Sequence, residues 1–157
     1  MTVAEKLVEL LKARGLTCAT AESCTGGGVG SAITAVPGSS AVFAGGIISY
    51  ANEVKRDVLG VSDHDLQTVG AVSSEVAEQM ADGARKLLKT DLAVSLTGIA
   101  GPDGGSEKKP VGLVWFGLAT KDGVRTEKAI FRGDRAQIRA QAVTHALGML
   151  TVASLVP

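Results

Sequence analysis

The residues best suited to covalent chemistry stand together in "ATAESCTGGGVG", residues 19–30, where Ser23, Cys24 and Thr25 run into Gly26, Gly27, Gly28 and Gly30. Such a stretch can mount a nucleophile on a tight turn, hold an anion on the free N–H groups of a helix start, or pack a helix closely against a strand. It lacks the Gly-x-x-x-x-Gly-Lys-Ser/Thr of a P-loop, and its glycines are not spaced Gly-x-Gly-x-x-Gly. Cys24 is the stronger intrinsic nucleophile but needs a base, and the two histidines, His64 and His145, are remote in sequence. His64 lies in a charged stretch, so packing is the plainer role for Cys24. Ser23 needs a base too, and the third residue after it is Gly26, so a lysine must come from elsewhere. "SYANEVK" offers one, placing Tyr50 (the only tyrosine), Asn52 and Lys55 at a strand exit. A lysine acts as a base only when neutral, which requires burial or a neighbouring cation to pull its pKa down from about 10.4. By spacing alone, Lys55 beside Arg56 fits a solvated helix charge better than a base.

These residues must be positioned by strands and helices, and the patterning predicts which. Residues 2–14 carry Val3, Leu7, Leu10 and Leu11 as a helical stripe; Thr2 and Glu5 fit a capping box, and Gly15 ends the helix. "LTCATA" is a short buried strand, residues 27–35 a helix stopped before Pro37, and "VFAGGIISYA" a strand whose glycines admit close approach to the backbone. A short helix over "NEVKRDVLG" follows, then one opened by Ser62 with Asp65. An amphipathic helix over 73–89 turns Val76, Met80, Ala84, Leu87 and Leu88 to one side. "DLAVSLTG" is a strand running into the loop "IAGPDGGSEKKPVG". "LVWFGLAT" and "VRTEKAIF" form a hairpin about Lys121–Gly123. A final helix from about 135 to 153 buries Ile138, Ala142, Ala146, Leu147 and Leu150. This order predicts one α/β domain, a three-layer α/β/α sandwich on a mixed sheet. Ligands of such sheets sit beyond strand carboxyl ends, where "AESCTGG", "SYANEVK" and "LTGIAGPDGG" converge.

Composition narrows the function. The 157 residues suffice for a single core, which must be aliphatic because aromatics are 3% of the chain. Sixteen basic residues balance sixteen acidic ones, giving no nucleic-acid surface. The cysteines, Cys18 and Cys24, form no CxxC, the histidines have no metal-site spacing, and "MTVAEKLVEL" is neither a signal peptide nor a membrane span. A soluble protein of a reducing compartment is expected.

The strings "AESCTGG", "GSSAVFAGGIISYANEVK", "GAVS" and "TGIAGPDGGSEKKPVG" resemble, in order and over about residues 7–150, the CinA C-terminal family. No core motif departs from the family pattern. The resemblance implies hydrolysis of the carboxamide of nicotinamide mononucleotide to nicotinate mononucleotide and ammonia. That reaction salvages a by-product of bacterial NAD-dependent DNA ligase. It implies an α/β/α homodimer in the cytoplasm, with no metal, no cofactor, no nucleic acid and no membrane. Many relatives carry a larger N-terminal nucleotide pyrophosphatase-like domain, and that activity is not expected here. Ser23, Tyr50 and Lys55 fall on the catalytic positions, turning the balance for Lys55 towards a base. Thr25, Gly38, Ser40, Asn52, Thr97 and Arg139 fall on pocket positions. With them go Gly26 and Gly27 of the nucleophile turn, Ser39, Gly46 of the second strand, and Gly98, Ala100 and Gly101 of the loop after Leu96. N–H groups of residues 24–27 are candidates for the oxyanion hole. Arg139, Gly38–Ser40 and the loop after Leu96 are candidates for the phosphate. Two alternatives stay open: a non-catalytic nucleotide- or partner-binding module, because relatives are linked by name to competence and DNA damage, and an amidase for another small amide.

Overall fold

The computed structural model describes residues 1–156. Its chain order is α1 (Val3–Arg14), β1 (Cys18–Glu22), α2 (Gly28–Thr34), β2 (Phe43–Ile48), α3 (Asn52–Leu59), α4 (Asp63–Thr68), α5 (Ser74–Leu88), β3 (Leu92–Gly98), β4 (Leu113–Thr120), β5 (Gly123–Ile130) and α6 (Arg135–Leu155). A single 3-10 turn, Ser39–Ala41, precedes β2. The sheet order is β2-β1-β3-β4-β5. β1 runs parallel to both β2 and β3, while β4 is antiparallel to β3 and β5, so the sheet is mixed as expected.

Alternation along the strands builds two cores. Leu7 and Leu11 of α1, Val29 and Ile33 of α2, and Leu150 of α6 pack with Val94, Leu96 and Phe116 on one face. On the other, Leu59 of α3, Leu66 of α4, and Val76, Met80 and Ala84 of α5 pack with Ala19, Ala21 and Ala93. Burying such aliphatic side chains contributes about 1.5–3 kcal/mol each. Small residues on the second face let α5 approach: Ser95 donates to the Ala77 carbonyl at 2.6 Å, and a Cβ on Gly117 would overlap that same carbonyl.

Local differences from the sequence pattern have plain causes. Leu87 is 51% exposed, because the stripe on α5 follows Val76, Met80 and Ala84 and Leu87 lies off it. β2 stops at Ile48, since Ser49 turns to bond Glu22 and the chain leaves the sheet there. Thr2 caps α1 by accepting from the Glu5 N–H, but the two-way capping box forms at α6, between Asp134 and Gln137. Gly15 ends α1 in the left-handed region (φ 65°), as a glycine there should.

Candidate active site

The parallel register brings the carboxyl ends of β1, β2 and β3 level: Glu22 faces Ile48 on one side and Leu96 on the other. Ser23, the next residue, is pinned by its N–H to the Leu96 carbonyl at 3.0 Å. The chain then turns sharply. Gly26 donates to the Ser23 carbonyl at 3.1 Å, and Gly26 and Gly27 take φ of 58° and 100°, which side-chain-bearing residues rarely adopt. Gly28 has a different purpose, since a Cβ there would come within 2.9 Å of Val143 on α6.

The start of α2 is already filled. Glu22, 1% exposed, accepts from the Thr25 hydroxyl at 2.6 Å and from the N–H groups of Val29 and Gly30 at 2.9 and 3.0 Å. The protein's own carboxylate therefore takes the place an external anion would have used at this helix start. What remains free are the N–H groups of Cys24, Thr25 and Gly27, which find no acceptor among the described residues.

Lys55 is not a solvated helix charge. It is 1% exposed, and its Nζ lies 3.1 Å from Ser23 Oγ, 2.7 Å from the Ser49 carbonyl and 3.1 Å from the Tyr50 carbonyl. Burial pulls its pKa below the ordinary lysine value. A neutral amine has two N–H donors and one lone pair. In the neutral form the two carbonyls would take the donors and leave the lone pair to the Ser23 hydroxyl. Cys24, in contrast, is buried, and burial pushes its thiol up to about 11, so it is not a thiolate at neutral pH.

Ser23 and Lys55 open into a cavity of about 210 Å³. Tyr50, Asn52, Thr97, Gly98 and Ala100 line it, together with Cys24, Ala71, Val72 and Arg135. Tyr50 offers Lys55 its carbonyl rather than its phenol, and the residue is 64% exposed at the cavity mouth. The Thr97 hydroxyl donates to the Ala71 carbonyl at 2.9 Å. Arg139 lies outside the lining; its Nε and Nη2 donate to the carbonyls of Cys24 and Thr25 at 3.0 and 3.1 Å, bracing the turn. Thr25, Gly26 and Gly27 form that turn, and the Gly101 carbonyl accepts from Arg135. Gly46 sits mid-strand against Thr20, away from the cavity. Gly38, Ser39 and Ser40 precede β2, whose first residue pairs with the first of β1, so one chain holds them at the opposite end of the sheet. No three His, Cys, Asp or Glu side chains gather as a metal site among the described residues.

Patterning did not single out Glu22, Ser49, Ala71, Val72 or Arg135. Glu22 left a trace as the only charge of its strand, and Ser49, Ala71 and Val72 stood inside the quoted strings, whereas Arg135 left none, because only the fold brings it to the cavity.

The model of the CinA C-terminal domain family matches residues 1–153. The nicotinamide-nucleotide amidohydrolase PncC of Escherichia coli K12 is 51% identical over 151 residues, which are 96% of this chain and 92% of that protein. A Halothermothrix orenii protein named for competence-damage inducibility is 54% identical over 136 residues, 86% of this chain but 33% of that longer one. The crystal structure of the competence/damage inducible protein CihA from Agrobacterium tumefaciens superposes with a TM-score of 0.94 at 43% identity, covering 98% of this chain and 94% of that one.

Proposed function

The chain belongs to the CinA C-terminal domain family, and from this and the site we propose that it is an amidohydrolase converting nicotinamide mononucleotide to nicotinate mononucleotide and ammonia, in pyridine nucleotide salvage. The observation that carries this is the buried Lys55 amine 3.1 Å from Ser23 Oγ, at the floor of a cavity. A module that only bound nucleotides would gain nothing from burying a lysine against a serine, since desolvating an amine costs several kcal/mol.

The geometry supports the following steps. Ser23 Oγ attacks the carboxamide carbon while neutral Lys55 takes its proton directly, so no relay through the Tyr50 phenol is needed. The oxyanion turns to free N–H groups of the Ser23–Gly27 turn, with Cys24, Thr25 and Gly27 as the available donors; one such donor is worth about 3 kcal/mol in the barrier. Lys55 returns the proton to the departing ammonia. It then activates the water that cleaves the nicotinoyl ester on Ser23 and releases the acid. The exposed Tyr50 ring at the mouth suits a pyridinium, a cation that aromatic faces attract.

The same proposal takes the working unit as a cytoplasmic homodimer. β2 is an edge strand of the sheet, and its last residue, Ile48, is 57% exposed. A second copy would also bring Gly38, Ser39 and Ser40 to a cavity that their own chain keeps them from.

Ammonia release from nicotinamide mononucleotide tests the assignment, with nicotinamide and glutamine as comparisons. The mononucleotide alone should react. Ser23→Ala should lose about a thousandfold or more of turnover while Cys24→Ala keeps it within about tenfold. No release by wild type from pH 6 to 9 would leave a binding module, and release from glutamine instead would point to another small amide.

A further inference from the structure

Which group receives the negative end of the substrate can be read from the charges around the cavity. Two basic side chains line it, Lys55 and Arg135, and no carboxylate does. Lys55 is committed to Ser23 and two carbonyls. Arg135 is the first residue of α6, is exposed, and makes one bond, from Nη1 to the Gly101 carbonyl at 2.8 Å. No acidic side chain pairs with it among the described residues. Its neighbour Asp134 is spent on capping Gln137.

A guanidinium carries five donors in a planar fork. With one used to fix its orientation, the rest of the fork is left to grip a phosphate at two oxygens. Size agrees with this. A cavity of about 210 Å³ is smaller than the roughly 300–1,000 Å³ usual for whole small-molecule ligands. The reacting amide therefore goes inside, at Ser23, and the remainder of a nucleotide lies towards the mouth, where Arg135 stands. Arg139, the arginine that the family resemblance favoured for this task, has Nε and Nη2 engaged on the nucleophile turn and does not line the cavity.

We propose that Arg135 is the specificity residue for the 5'-phosphate of the substrate, holding it at the cavity mouth, and that Arg139 is a positioning residue for the Ser23 turn. This rests on the amidohydrolase assignment above. The test compares wild type, Arg135→Ala and Arg135→Lys with nicotinamide mononucleotide as substrate, and with ribose 5-phosphate and nicotinamide riboside as competitive inhibitors. Arg135→Ala should raise KM about tenfold or more while kcat falls less than about threefold. The inhibition constant of ribose 5-phosphate should rise in step, and that of the riboside, which has no phosphate, should move less than about twofold. Arg135→Lys should recover part of the loss, since it restores the charge without the fork. Equal weakening of both inhibitors, or a fall in kcat at unchanged KM, overturns the proposal and leaves Arg135 as a brace for the loop at Gly101. Should wild type release no ammonia, the amidohydrolase assignment falls by itself. Calorimetric titration with ribose 5-phosphate then still decides: tighter binding to wild type than to Arg135→Ala supports the phosphate site, and equal binding overturns it.

Discussion

A lysine that must be neutral to work ties activity and stability to the same proton. Burial lowers the Lys55 pKa, so below that lowered value the amine is charged, its lone pair is gone and Ser23 has no base. kcat/KM should therefore climb with slope one as pH rises through the folded-state value, which lies below that of an exposed lysine. The sign for stability follows by linkage. Between the lowered folded value and the ordinary unfolded one, the unfolded chain binds more protons, so stability rises with pH across that window. The charged, desolvated lysine costs most at low pH. Lys55→Met, close in volume and without charge, should then melt no lower than wild type at pH 6 while releasing no ammonia. Thermal melts and rate–pH profiles on both proteins check this. A wild-type acid limb that persisted in the rate of an active Lys55 variant would assign the limb to another group. Cys24 offers none of this behaviour, since its thiol stays protonated until about 11.

At the scale of elements, the dyad exists because α3 is held close against α5, and one glycine permits that. A Cβ on Gly83 of α5 would overlap the carbonyl of Leu59, the last residue of α3, and would also crowd Leu59 Cα at 3.1 Å. Backbone cannot step aside as a side chain can. Gly83→Ala should cost about 1–3 kcal/mol by overpacking and should move α3, hence Lys55, off Ser23. Denaturant titration gives the first quantity. The second appears as a loss in kcat larger than any change in KM. Little of this was legible beforehand. The helices and strands were, because each carries its own period: Thr2, Gly15, Ser62 and the Lys121–Gly123 turn mark ends that the structure keeps. Lys55 was ambiguous on its residues alone because "NEVKRDV" reads as a solvated helix, whereas in the fold its amine turns back onto the Ser49 and Tyr50 carbonyls and Ser23, just past β1. Arg135 was invisible, since nothing in a helix start says which loop it will face. Arg139 matched a family position, and no pattern in the sequence announced that its Nε and Nη2 would hold the Cys24 and Thr25 carbonyls.

For the whole molecule, the placement of Gly38, Ser39 and Ser40 has to be reconciled with their match to pocket positions of the family. Within one chain they stand before β2, beside Lys12 of α1, while Ser23 stands beyond the far end of β1. A homodimer in which each Ser40 completes the partner's cavity satisfies both facts, and subunit exchange can decide it. Under this arrangement Ser23→Ala is inactive for want of a nucleophile, and Ser40→Trp is inactive because its bulk blocks the neighbouring site. Mixed in equal amounts and allowed to exchange, half of the dimers pair one variant with the other. In each of these, one of the two sites joins an intact Ser23 to an intact Ser40. About a quarter of wild-type ammonia release should therefore return, from two proteins that have none alone, and light scattering should give twice the chain mass throughout. Absence of recovery after demonstrated exchange would place Ser40 and Ser23 in the same subunit's site. Full activity of Ser40→Trp by itself would remove that end of the sheet from the chemistry altogether, leaving the cavity bounded by Ser23, Lys55 and Arg135 as the complete site.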